Sequence, residues 1–226
     1  GQGLAADATS GNTSDLTVSN VTFQNWNKNA IDAVTGDGSG ANGGDIVLNV
    51  DHSTFTGAGD TGTIAQNGIL LWEQGGGSVS ATVDSSAFSD LSYNDPAHAT
   101  ATGVLVYGSP NGSLTVSNST FDSSVQEYIS TAGGSPNEVD ATQGNTFDGV
   151  TVSSATPLDD IFTIENKITD GLDDTANGLV RLVDGEVFVT AQKGDVSAGV
   201  HAATTGDTVY VQAGTYVGIT TINKGI

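Results

Sequence analysis

Within YNDPAH, from Tyr93 to His98, a phenol, a carboxylate and an imidazole stand close enough to share a proton-transfer task. Paired carboxylates are a second candidate chemistry, because an acid and a base at a fixed separation hydrolyse glycosidic bonds. Asp84, Asp90 and Asp95 are near one another in sequence, and Asp51 joins them if the chain coils back on itself. No basic cluster accompanies these groups to hold an anionic sugar. Lys28 is the one basic residue before Lys167. The stretch therefore reads first as a loop, and the aspartates as turn residues and solvated acids.

Calcium is the one cofactor the residue types suggest. Asp159 with Asp160, Asp173 with Asp174, and Asp37 with Asp45 around a glycine-rich loop offer hard oxygen ligands. Neither an EF-hand loop nor a calcium-binding nonapeptide repeat accompanies them, so they are candidates by type and proximity alone. Trp72 and Tyr107 end two similar apolar runs, where they serve packing or the stacking of a sugar. Asn-x-Ser/Thr sequons occur at Asn12, Asn20, Asn111 and Asn118, with Asn12 and Asn111 the expected glycan sites.

The charge balance narrows the partners. Across 226 residues there are 26 acidic side chains and 5 basic ones, a formal net charge of −21. Nucleic-acid binding needs Lys and Arg to neutralise phosphates, and is excluded on this count. Of the acids, 21 are Asp and 5 are Glu, which suits turns better than helices. With 31 glycines and many Thr and Ser, the composition is that of a β-rich, turn-rich chain. Neither Cys nor Met occurs, and no apolar run is long enough to cross a bilayer. Few cations, many hydroxyls and high acidity fit an extracellular or cell-surface protein, and the missing methionine fits a piece of a longer chain.

The elements that must position all these residues are visible as a repeat. LTVSNVTF (16–23) returns as LNVDHSTF (48–55), ATVDSSAF (81–88), LTVSNSTF (114–121) and DATQGNTF (140–147). A second apolar run and a Gly/Ser/Asn loop follow within each unit: NAIDAV, NGILLW, TGVLVYG. Two short strands per unit cannot bury an apolar face alone, whereas stacked units can. The reading is a coil in which like residues stack, with Phe23, Phe55, Phe88, Phe121 and Phe147 as an internal aromatic column. Asn20 and Asn118, with His52 and Ser85 at the same place, are expected to hydrogen-bond along the stack inside a turn.

The octets and their spacing resemble right-handed parallel β-helix proteins of the pectate-lyase-like superfamily. The resemblance implies polysaccharide lyase, glycosidase or epimerase chemistry. Lyases of the superfamily use Asp-bound calcium with an Arg or Lys base, but the one arginine here, Arg181, falls in a connector off the coils. YNDPAH is similar to the Tyr/Asp/Pro/His signature of alginate epimerases, with Ala97 intervening and the tyrosine displaced. The chain also resembles tandem β-helix blocks of large bacterial surface proteins, each closing on a connector like GLVRLVDGEVFVT.

Three parts follow: a coil stack over 1–156, a connector over 157–192, and a capping helix with the first coil of another β-helix over 193–226. In the connector, VRLV and EVFV flank Asp184-Gly185 as a tight hairpin. In the last part, Val196, Val200 and Ala203 are spaced for a short helix. The fold expected is all-β, a parallel β-helix. The function expected is structural: a rod, stalk or filament whose partners are copies of itself or adjacent tandem units, end to end. A carbohydrate-active enzyme or polysaccharide-binding module around Tyr93, Asp95 and His98 is the alternative.

Overall fold

The computed structural model describes residues 3–9, 11–36, 43–61, 64–95, 99–108, 111–132, 137–218 and 220–226. Asp37 and His98, with Pro96 and Ala97, lie outside them. The alternation of β5 (Asp45–Asp51) sets the logic: Ile46, Leu48 and Val50 are buried, and the residues between them face outward. Each coil lays down three such strands. They are β1 (Leu4–Ala8), β2 (Thr13–Ser19) and β3 (Thr22–Gln24), then β4 (Asn29–Thr35), β5 and β6 (Thr54–Thr56). The third coil holds β7 (Asn67–Glu73), β8 (Ser78–Asp84) and β9 (Ala87–Ser89). The fourth holds β10 (Thr102–Tyr107), β11 (Leu114–Ser117) and β12 (Thr120–Phe121), and the fifth β13 (Glu127–Ser130), β14 (Val139–Gln143) and β15 (Thr146–Phe147).

First strands pair with first strands, second with second and third with third, all in parallel. The result is a parallel β-helix. Its inner columns keep one residue type through several coils: Ile31, Ile69, Val104, Ile129 and Ile168 lie in register. The first-strand sheet is covered on much of both faces, and even its outward Asp32 and Leu70 are buried.

After β15 the pattern breaks. β16 (Val150–Thr151) folds back antiparallel on β15 and closes the third sheet. Helix α1 (Leu158–Glu165) follows, carrying Asp159 and Asp160 in its first turn, where carboxylates complement the helix dipole. The coil then resumes. β17 (Ile168–Thr169) adds to the first sheet and β18 (Val180–Arg181) to the second, so the sheets run on past residue 156. β19 (Glu186–Val189) pairs in parallel with β20 (Thr208–Val211), and α2 (Val196–Ala202), capped by the Asp195 carboxylate, lies between them in the chain.

The expected hairpin is therefore not formed. β18 pairs with β14, and β19 pairs with β20. Leu182 and Val183, between β18 and β19, are buried in the main core, so the chain turns a corner around its own apolar side chains. Asp184-Gly185 still turns, Gly185 at φ +71°, but the ladder edge of β14 captures the strand before it. Arg181 is correspondingly on the coil stack, opposite Asp140, rather than off it.

Candidate functional site

The aromatic column is continuous. Phe23, Phe55, Phe88, Phe121 and Phe147 stack with ring centroids 4.7–5.1 Å apart and planes within 13° of parallel. Backbone pairing dictates this spacing, because adjacent coils are one sheet spacing apart. Gly68 and Gly103 lie against the rings of Phe88 and Phe121; a Cβ on Gly68 would sit 2.8 Å from the Phe88 ring. Where the next coil has Tyr128 at this position, its ring tilts against Phe121 and Phe147 instead.

A hydroxyl ladder runs beside the column, one residue away from where the octets suggested. Ser53, Ser86, Ser119 and Asn145 are buried. The amide of each coil donates to the side chain of the next: Val21 to Ser53 Oγ, Ser53 to Ser86 Oγ, Ser86 to Ser119 Oγ and Ser119 to Asn145 Oδ1. Each serine hydroxyl also donates to the carbonyl two residues before it. Asn20 and Asn118 do occupy the turn, in the left-handed region at φ +58° and +48°, as do His52 and Ser85; they face outward, where Asn118 Nδ2 donates across coils to Asp84 and Asn20 Nδ2 donates to the adjacent Ser19 Oγ. Asparagine tolerates that conformation better than most residues. A strand alternates, so an inward Phe places the residue two before it inward and the residue three before it outward.

The expected carboxylate pair does form. Asp51 and Asp84 are register partners on neighbouring coils. Both are engaged: Asp51 accepts from Ser19 Oγ at 3.3 Å and meets His52 Nδ1, while Asp84 accepts from Ser117 Oγ at 2.6 Å, Asn118 Nδ2 at 2.8 Å and Ser85 Oγ at 2.8 Å. These donors, Ser117 first, hold the Asp84 carboxyl below the usual carboxylate range. A group so held is a poor general acid. Tyr93 packs against the core. Asp90 is exposed at a corner with φ +54°.

The cations serve as struts. Arg181, 8% exposed, forks onto Glu138 with Nε–Oε1 2.9 Å and Nη2–Oε2 3.1 Å, and reaches Asp207 at 3.2 Å. Lys167 donates to the carbonyls of Ser123 and Val125 and lies over the Tyr128 ring. Lys193 donates to Ile168 O and Thr169 Oγ1, and Lys224 to His201 O and Ala203 O. Four of the five basic residues are thus spent on structural bonds.

Several of the calcium candidates already accept hydrogen bonds. Asp45 accepts from Ser78 of the next coil, Asp173 from the amide of Asp170, and Asp174 from the amide of Ala176. Among the described residues no three His, Asp or Glu side chains gather as a metal-ligating group. Asn12 and Asn111 are exposed, and so are Asn20 and Asn118. Trp72 and Tyr107 are register partners in an edge-on contact, centroids 5.4 Å apart, with Tyr107 open to solvent.

A buried acid group lies at the joint between α1 and the terminal unit, with no sequence motif to mark it. Burial raises Glu165 well above the ordinary range, with Asp170 and Asp173 adding to the effect and Lys193 opposing it. Burial pushes Asp170 up to about 7, although the amides of Val180 and Leu172 donate to it. The sequence signal was an acid-rich stretch, read as calcium ligands.

The two ends differ from the middle. β1, β2 and β3 are the outer strands of their sheets, Phe23 is half-buried and Val21 is exposed. At the other end β20 is an outer strand, and Val211, Val217 and Ile222 are exposed. Comparison with models of protein families, with curated proteins and with solved structures finds no match to this chain.

Proposed function

We propose that this chain is a structural unit of an extracellular or cell-surface rod, stalk or filament. In it, β-helix coils continue end to end into adjacent tandem units or further copies. The observation that carries this reading is the contrast between the middle and the ends. The Phe column and the hydroxyl ladder run coil after coil, while the end coils leave strand edges and apolar side chains open. Polar groups that could do chemistry support it too, because Asp84, Arg181, Lys167 and Lys193 are engaged in structural bonds. Repeated coils of this kind fit the pectate-lyase-like superfamily, used here as scaffold. Calcium would act by relieving repulsion among acids of neighbouring units.

Electron microscopy of native material, with and without a calcium chelator, tests the proposal. Long rods or fibres are expected; isolated compact particles would overturn it. Polysaccharide binding is a second reading, favoured by the Trp72–Tyr107 pair, whose tyrosine is exposed. Retardation in polysaccharide gels, lost in Tyr107→Ala, tests it.

A further inference from the structure

Three segments bring charged groups together where the coil stack meets the terminal unit. Glu165 closes α1, Asp170 and Asp173 lie in the turn after β17, and Lys193 lies between β19 and α2. Glu165 is 4% exposed and Asp170 is fully buried. The amides of Leu172 and Val180 donate to the two oxygens of Asp170, at 2.8 and 2.7 Å, and the amide of Asp170 donates to Asp173. Glu165 has no such donor. Beyond its burial, what acts on its carboxyl is the charge of Asp170 and Asp173 against it and of Lys193 in its favour. Three acids thus share one cation, and that cation is already committed. Lys193 Nζ donates to Ile168 O and Thr169 Oγ1 of β17 and stands 3.9 Å from Asp173 Oδ2.

A buried carboxylate with neither a donor nor a counter-ion of its own is far costlier than the protonated acid. We infer that the joint is a proton-held latch: α1 and the terminal unit stay docked on the coils while Glu165 keeps its proton, and they part when the proton leaves. Asp170, with two amide donors, ionises first, and its charge then holds the proton on Glu165. The other charged groups around α1 offer no counter-ion. Lys167 is spent on the carbonyls of Ser123 and Val125, and Arg181 on Glu138 and Asp207. Asp159 and Asp160 are exposed in the first turn of α1, and Glu186, at the head of β19, adds a further acid.

Contacts show what the latch joins. Phe162 of α1 meets the Phe188 ring of β19 edge-on, and Lys193 ties the terminal unit to β17. The ladders of the first four coils involve none of these residues, so the opening is local. Its sign follows from proton linkage. Glu165 is raised when docked and returns to the ordinary glutamate range when released, so docking is favoured at low pH and weakens as pH climbs above about 4. Each proton that must leave raises the opening constant about tenfold per pH unit, until the docked group itself ionises.

Hydrogen exchange of the full chain between about pH 5 and pH 8, each peptide divided by its intrinsic rate, tests this. Peptides of α1 and of 186–202 are expected to lose protection by about tenfold or more per pH unit, while those of β5, β8 and β11 hold theirs. Glu165→Gln keeps the size of the side chain and has no proton to lose, so its profile should be shallower by one such factor. The slope carries the test, because a buried amide lowers protection at every pH alike. An infrared spectrum at about pH 6 reads the proton directly, as a protonated-carboxyl band that is diminished in Glu165→Gln. Should that variant lose its circular-dichroism signature, the wild-type band and exchange profile decide alone. A wild-type profile without slope, protection lost equally by coils and terminal unit, a Glu165→Gln profile as steep as wild type, or no protonated carboxyl at about pH 6 would overturn the inference.

Discussion

Replacing Phe88 by alanine probes the column where it is most enclosed. The ring is 1% exposed and sits between Phe55 and Phe121, each 4.7 Å away, with Gly68 against its edge. Truncating a buried Phe costs about 3–5 kcal/mol through lost transfer and the cavity left behind. Two stacked partners each contribute roughly 0.5–1.5 kcal/mol beyond burial, which places Phe88→Ala toward the upper part of that range. The backbone on either side is held by ladders that do not depend on the ring, so the cavity cannot collapse by sliding coils together. Phe23→Ala is the internal control. That ring is half-buried with one stacked neighbour, and its loss should cost about half as much by the same reasoning. Urea unfolding followed by far-UV circular dichroism reads both, with the slope checked for constancy. Equal destabilisation of the two variants, or a near-neutral Phe88→Ala, would refute the column as a source of stability.

Ser86→Ala removes the acceptor of the Ser53 amide and should cost about 1–3 kcal/mol for the buried donor left unpaired; an unchanged urea midpoint would sink the ladder argument. Arg181→Met strands Asp207, 7% exposed, and should destabilise the terminal unit by about 3–5 kcal/mol. Hydrogen exchange confined to 186–226 is the expected signature, and uniform loss of protection across all coils would contradict it. The pH profile should have two limbs. Glu165 and Asp170 are raised in the folded state by burial, so the stability they allow is present at low pH and lost as pH climbs from about 4 through 7 and beyond. Asp84 is depressed by Ser117, Asn118 and Ser85, so its contribution is present above about pH 4 and lost as pH falls. Maximal stability should therefore lie on the acid side of neutrality, and Glu165→Gln should flatten the alkaline limb; an unaltered limb would remove Glu165 from the account.

What could be read from the residues was whatever repeats in type as well as in place. Five phenylalanines in similar octets gave the coil, because only stacked coils bring identical side chains into one column. The resumed coil at β17 and β18 was hidden, since it keeps the inward Ile168 and Val180 but loses the octet. Its third-strand place beside β15 is taken by β16, which runs antiparallel. VRLVDGEVFV looks like a hairpin locally, and only the free edge of β14 decides otherwise. The serine ladder was legible in principle. Ser53, Ser86, Ser119 and Asn145 each stand two residues before a column phenylalanine, where alternation demands an inward side chain. The more conspicuous asparagines stand one residue earlier, on the outer side of the backbone, where Asn118 bonds to Asp84 of the neighbouring coil.

The geometry also fixes how such a chain can associate through its backbone. Among the described residues every interior strand has both edges paired, so the open strand edges lie on the first and last rungs of each sheet. The flanks carry outward-facing acids such as Asp15, Asp45 and Asp140, and a net charge of −21 opposes side-by-side approach. Exposed apolar residues on the flanks, Val47 and Tyr107 among them, are separated along the coils, whereas Val211, Val217 and Ile222 sit together in the last nineteen residues of the fold's far end, 208 to 226. Screening by salt weakens the lateral repulsion but creates no lateral edge. Added salt should therefore lengthen assemblies without thickening them, and scattering from fibres of constant width is the result this reasoning requires.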